Sequence, residues 1–157
     1  MSTFSSLQDL TRYVQDNINE VLEDEVLDAV RTVMLRHVEA DVYDKYSPRE
    51  YVRRREDGGL SDPDNIVSDL ASDGVVWIGN SAEFSQNPPS DNYGWELSGL
   101  IEFGNGWDGY YYEHPKPDAA FLKPRPFISN TRQELKSTKP HITAMKKGLQ
   151  SRGIKCS

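Results

Sequence analysis

An α+β domain is the fold class this sequence predicts: a long N-terminal helix, a small mostly antiparallel β-sheet with long loops, and a C-terminal helix packed on the sheet. Three observations carry that reading. Apolar residues recur at steps of three and four through the first quarter of the chain. Short β-branched runs separated by a turn signal follow it. A second, partial helical stripe closes the sequence behind a pair of prolines. With 157 residues the chain fits a single domain, residues 1–157, with one core.

The first stripe consists of Phe4, Leu7, Leu10, Val14, Ile18, Val21, Leu22, Val26, Val30 and Val33, and neither Gly nor Pro interrupts it before Pro48. Ser5 with Gln8 has the spacing of a capping box, in which a hydroxyl and an amide satisfy open N–H groups at a helix start. These signals predict one helix over residues 5–39, roughly 50 Å long at about 1.5 Å per residue, longer than a domain of this size is wide. One end then projects or packs on a neighbouring subunit.

A connector follows, DVYDKYSPREYVRRREDGG, in which Pro48 disfavours helix and Tyr43, Tyr46 and Tyr51 alternate with charges. Its triplet Arg53, Arg54 and Arg55 has two readings, contact with DNA phosphates or an assembly partner, and pairing with the nearby carboxylates Glu56, Asp57 and Asp62. Residues 60–104 form the sheet region. LSDPDNIVSDL and DGVVWIGNSA flank a Ser-Asp-Gly turn and predict a hairpin, with Val75, Val76, Trp77 and Ile78 in its clearest strand. AEFSQNPPSDNYG is a loop by composition, and WELSGLIEFGNGW reads as a further strand or edge segment ending at Gly104.

Residues 105–124 form a second long loop that carries Tyr110, Tyr111 and Tyr112, exposed or packed under a neighbour. The last segment, residues 125–153, begins extended because prolines flank Arg125, and then turns helical through Phe127, Ile128, Leu135, Ile142, Met145 and Leu149. Pro140 kinks this helix or opens a second one capped by Thr138, and Gly153 is a stop signal.

Charge is distributed unevenly. Residues 1–122 carry 9 Lys+Arg against 24 Asp+Glu, a net of −15, whereas residues 123–157 carry 9 against Glu134 alone, a net of +8. An acidic body with a basic end can dock head-to-tail on copies of itself, or fold its basic helix back on its own acidic surface. The basic residues available for such contacts are Lys136, Lys139, Lys146, Lys147 and Arg152. A single cysteine, Cys156, excludes an internal disulfide. No run reaches the roughly 18 apolar residues of a membrane helix, and the N-terminus lacks the pattern of a secretory signal, so the chain reads as soluble with no membrane partner.

Three stretches carry a family resemblance. LIEFGNG resembles a strand that ends in Glu-aromatic-Gly, here Glu102, Phe103 and Gly104. KPRPFISNTRQEL is similar to an Arg-Pro-Phe signature leading into a last helix, here Arg125, Pro126 and Phe127. YSPREYVRRREDGGLSDPDNI is similar to a Tyr-Pro, Arg-Arg and Gly-Gly-Leu stretch of prophage proteins. Together they resemble the head-to-tail joining proteins of long-tailed bacteriophages, also called tail-completion or neck proteins. The resemblance implies a structural virion protein that forms a closed ring in the phage neck, twelve-fold below the portal layer or six-fold on the tail tube. DNA would pass through its lumen without sequence-specific contact. Its partners would be copies of itself, a head-side adaptor or portal protein, and a tail-side terminator or tube protein. It would be assembled in the bacterial host cytoplasm and reside in the virion. The loops around Asn87 to Tyr93 and Trp107 to Ala119 depart from the simpler members.

No enzymatic chemistry is expected and no cofactor or metal. Asp118 with Glu134 and Lys136 loosely resembles the acid, acid and lysine set of a divalent-metal nuclease, but QELKS favours helix, where residues two apart diverge. His37, His114 and His141 lie in separate segments without ligand spacing, and His37 is expected to face solvent or the C-terminal end of its helix dipole. A metal nuclease and a small regulatory binding module of a mobile element are the rival readings.

Overall fold

The computed structural model describes residues 4–45, 47, 52–71, 74–83, 97–104 and 123–156. Its spine is a continuous helix from Leu7 to Tyr43, built as α1 (Leu7–Val21), a π-helical turn (Leu22–Val26), α2 (Leu27–His37) and a second π-helical turn (Val38–Tyr43). The cap sits one residue later than the sequence suggests. Ser6 Oγ accepts from the Asp9 backbone N–H at 3.1 Å, and Ser5 Oγ donates to the Asp9 carboxylate, so the box is made by Ser6 and Asp9 and not by Ser5 and Gln8. The helix also outlasts the expected end at Glu39, because Val42 and Tyr43 are buried and packing holds the last turn in place.

The π turns account for the spacing of the core. Val21 and Val26 are both buried although five residues apart, a step that an α-helix would send to different faces. One extra residue in the turn restores the register, and Val30, Val33, Met34, Val38 and Val42 continue the buried face. Each π turn also carries an acid that meets the C-terminal region: Glu25 accepts from Arg152 Nη1 at 2.6 Å, and Asp41 accepts from Asn130 Nδ2 at 2.9 Å.

The hairpin is as expected. β1 (Ile66–Ala71) and β2 (Val75–Asn80) pair antiparallel from Ile66 opposite Asn80 to Ala71 opposite Val75, and Gly74 supplies the positive φ of +76° that the turn requires. A 3-10 turn, Pro63–Asn65, leads in, with Asp62 accepting from the Gly58 and Asp64 N–H groups at 2.8 and 2.9 Å. Buried Asn80 locks the exit by donating to Leu60 O and accepting from the Ala82 N–H. Ile66 points into the core, while Val67, Val75 and Trp77 face outward.

Three short helices complete the described fold. α3 (Leu97–Phe103) replaces the strand expected there; Ser98, Gly99 and Leu100 are buried, and Gly104 at φ +63° ends it in the left-handed conformation that stops a helix. The single expected C-terminal helix is two, α4 (Phe127–Thr138) and α5 (Pro140–Ser151). Pro140 opens α5 at its first turn, as one of the two sequence alternatives had it. The residue before it is Lys139 at φ +53°, and Thr138 bonds back to Glu134 O instead of capping α5. Both helices lie chiefly along the long helix, α4 on α2 and α5 on the first π turn, and reach the sheet through a shared core.

That core has two parts. Leu27, Met34, Val38, Val42, Tyr43, Leu60, Ile66, Ala82 and Phe127 form one, and Val21, Val26, Val30 and Leu149 the other. Gly148 sets the second. A Cβ built there would lie 2.7 Å from Val21 Cγ1 and 3.1 Å from Glu25 Cδ, so only glycine lets α5 approach this closely.

Candidate functional site

The residues singled out around Glu102 and Phe127 meet in one joint. α4 begins after Pro126 and has no side-chain cap of its own, so its first N–H groups lack partners within the helix. Glu102, 3% exposed on α3, supplies them: its carboxylate accepts from Ile128 N at 2.8 Å and Ser129 N at 2.9 Å, and also from Ser129 Oγ. A negative group here also opposes the positive end of the α4 dipole. Beside it Arg125 N donates to Ile101 O at 2.9 Å, and Phe127 is completely buried. The segment between the two prolines is thus clamped at its backbone, and Phe127 is delivered into the core below.

A second polar cluster ties α2 to α4. His37 was expected to face solvent or the helix dipole; instead it lies between two acids, Nδ1 2.8 Å from Asp41 and Nε2 3.0 Å from Glu134. Arg36 also donates to Glu134 and holds its carboxyl below the usual glutamate range, with His37 adding to the effect. Both ring nitrogens face carboxylate oxygens, which only accept, so the protonated ring satisfies both contacts and the neutral ring one. Sequence spacing hides this site because Glu134 is almost a hundred residues away.

A third cluster gathers at the end of α5. Arg152 lies 2.6 Å from Glu25, 3.5 Å from Glu20 and 3.9 Å from Asp24, and Tyr13 donates to its carbonyl oxygen at 3.1 Å. The Arg152 guanidinium depresses the Glu25 carboxyl, and its own value is raised in return. Of the two readings of the basic tail, Arg152 follows the one in which it folds back on its own acidic helix; it does not face outward as an interface residue would.

The arginine triplet is likewise engaged within the chain. Arg53 donates to Tyr43 O at 3.0 Å and sits 4.8 Å over the Tyr43 ring, Arg55 lies 5.0 Å from the same ring and 3.4 Å from Glu39, and Arg54 donates to Glu83 O. These contacts anchor the connector to the end of the long helix, whereas Asp62, one of the carboxylates the sequence offered them, serves backbone N–H groups. Lys136, Lys139, Lys146 and Lys147 are exposed on α4 and α5 and the turn between them. Tyr110, Tyr111, His114 and Asp118 lie outside the described residues.

These clusters join elements of the fold to one another, and none leaves a nucleophile beside a base. Among the described residues no group of three or more His, Cys, Asp and Glu is placed to hold a metal ion, and no helix is long and apolar enough to cross a membrane. Residues 6–151, nearly the whole chain from the Ser6 cap to the end of α5, match the family model described as YomN. The chain belongs to the YomN family. YomN is a phage-derived family, so the protein is phage-associated. No curated protein and no solved structure matches the chain. Within this YomN chain the match encloses the Ser6 cap, both π turns, the hairpin and the Glu102 joint.

Proposed function

We propose that this phage-associated chain is a structural joining protein of the phage neck, a ring component between the DNA-filled head and the tail. The Glu102 joint supports the reading most directly. The two stretches that resemble the neck family, LIEFG and KPRPF, lie more than twenty residues apart and meet in one clamped, buried contact, as two pieces of a single structural signature would. The ion pairs of His37, Glu134 and Arg152 lie inside the fold, and among the described residues the outward surface includes an apolar sheet face and a lysine-rich helix face. Such a molecule is equipped to bind partners, not to turn over a substrate. Its partners would be copies of itself, a head-side adaptor or portal protein and a tail-side terminator or tube protein, with DNA in the lumen.

A divalent-metal nuclease would need the Glu134 carboxylate available for a cation, and Arg36 and His37 both hold it. Purified protein is expected to leave DNA intact with magnesium or manganese; cleavage lost on Asp118→Ala would restore that rival. The joining role is tested by deleting the gene from a phage that carries it. Filled heads and free tails that fail to join, and join again when the gene is supplied in trans, are the expected result under the electron microscope. Normal joined particles without the gene would end the proposal.

A further inference from the structure

The outer face of the hairpin gathers several exposed apolar side chains on one side of the sheet. Trp77 is 70% exposed, Val75 50% and Val67 43%, and all three project from the same side of the sheet. Asp69 stands directly opposite Trp77 in the register and is exposed on that side too. The surrounding segment is strongly acidic: residues 60–83 hold five Asp+Glu and no Lys or Arg. An exposed tryptophan among valines is an expensive surface to leave in water, and such patches mark interaction sites.

The complementary surface lies on the same molecule. On the outward side of α5, Ile142 is 43% exposed, with Lys139 three residues before it and Lys146 four after it on one flank. Thr143, Lys147 and Gln150 are exposed beside them. This face has what the hairpin lacks, cations around an apolar centre. Both elements pack on the first π turn of the long helix with their inner sides, so the two outer faces are separate surfaces and both can be engaged at once.

We propose that the occupant of the hairpin face is a second copy of this chain, which sets the Ile142 and lysine face of its α5 over Trp77 and Asp69. Apolar surface then covers apolar surface, a lysine can lie over the indole ring, and the acid-rich hairpin attracts the base-rich helix. Different faces meet, so the contact is head-to-tail and repeats from copy to copy until a rotation closes it into a ring. The inference rests on the joining role proposed above and names the surfaces through which copies would adhere.

The test uses the full chain in sedimentation velocity over a concentration series at low and high salt. Wild type is expected to form species larger than a dimer at low salt and to lose them as salt screens the charges. Trp77→Ser removes one face and Ile142→Glu with Lys146→Glu the other, each weakening self-association at least tenfold. Asp69→Lys and Lys139→Glu are the second variant of each face, used where circular dichroism shows that the first is not folded. An equimolar mixture of the two folded variants returns a heterodimer and nothing larger, since one intact hairpin face meets one intact helix face. Wild type that stays monomeric throughout, variants that associate like wild type, or a mixture that stays monomeric would each overturn the contact. If the contact fails while phage lacking the gene still accumulates unjoined heads and tails, the surfaces are wrong and the joining role stands; if that phage joins normally, the role itself fails.

Discussion

Glu102 shows how much of this fold hangs on single polar side chains. A carboxylate 3% exposed, placed against two backbone N–H groups and a hydroxyl, replaces the cap that Pro126 cannot provide. Its removal leaves those donors open at a buried helix start. Glu102→Ala is expected to cost about 2 kcal/mol in urea unfolding, in the range of hydrogen bonds to charged groups, and Glu102→Gln less because one oxygen remains to accept. Titration offers an independent check. Arg36 and His37 hold the Glu134 carboxyl below its ordinary 4.5, and Arg152 does the same for Glu25. A folded-state value below the unfolded one means these groups stabilise the fold above about pH 4.5 and lose that contribution as pH falls through the folded value. Stability should therefore fall as pH drops below about 4.5, and a Glu25→Gln, Glu134→Gln variant should show a shallower fall there. Equal slopes in melting experiments would show that the two pairs do not matter in solution.

The long helix and the hairpin were legible at the scale of elements because each advertises its period over enough residues: ten apolar positions at helical spacing in one case, β-branched strands around Ser-Asp-Gly in the other. α3 was not, since LSGLIEF is short, contains a glycine, and offers as much to a strand as to a helix; what fixes it is tertiary, the burial of Ser98 and Leu100 and the stop at Gly104. The π turns left no trace in the sequence, because Leu22 and Val26 keep a four-residue step; the five-residue step from Val21 to Val26 shows only in which side chains are buried. The Glu102, Gly104, Arg125, Pro126 and Phe127 motif was visible as residues, but a strand end was expected and a helix cap is what Glu102 makes. The His37 pairing with Glu134 could not be read from spacing at all. Element packing makes its own predictions. Gly148→Val should cost about 1–3 kcal/mol by forcing α5 off Val21, as overfilled cores do, and Phe127→Ala about 3–5 kcal/mol as large aromatics do. Val21→Asp, which buries a charge at a position with no exposure, should leave the chain unfolded by circular dichroism at 25 °C. Wild-type melting of any of the three would mean that the helix faces are assigned wrongly.

Across the whole molecule, opposite charges are sorted to the two ends of the chain and then partly recombined. The basic tail sends Arg152 back to Glu20, Asp24 and Glu25, and the acidic body sends Glu134's counterparts, Arg36 and His37, forward to α4. What the described surface presents outward is directional: exposed lysines on the outer side of α4 and α5, acid and exposed tryptophan on the hairpin. A joining protein needs that division between an inner set of contacts that fixes its shape and an outer set that fixes its neighbours. The central claim, a structural place in the neck, is tested most directly by a cryo-EM map of the intact phage particle that encodes this chain. The map is predicted to hold a ring of copies between portal and tail, with the long helix, the outward hairpin and the Glu102 to Phe127 joint traceable in each subunit. A neck fully accounted for by other chains, with no density for this one anywhere in the particle, would contradict it.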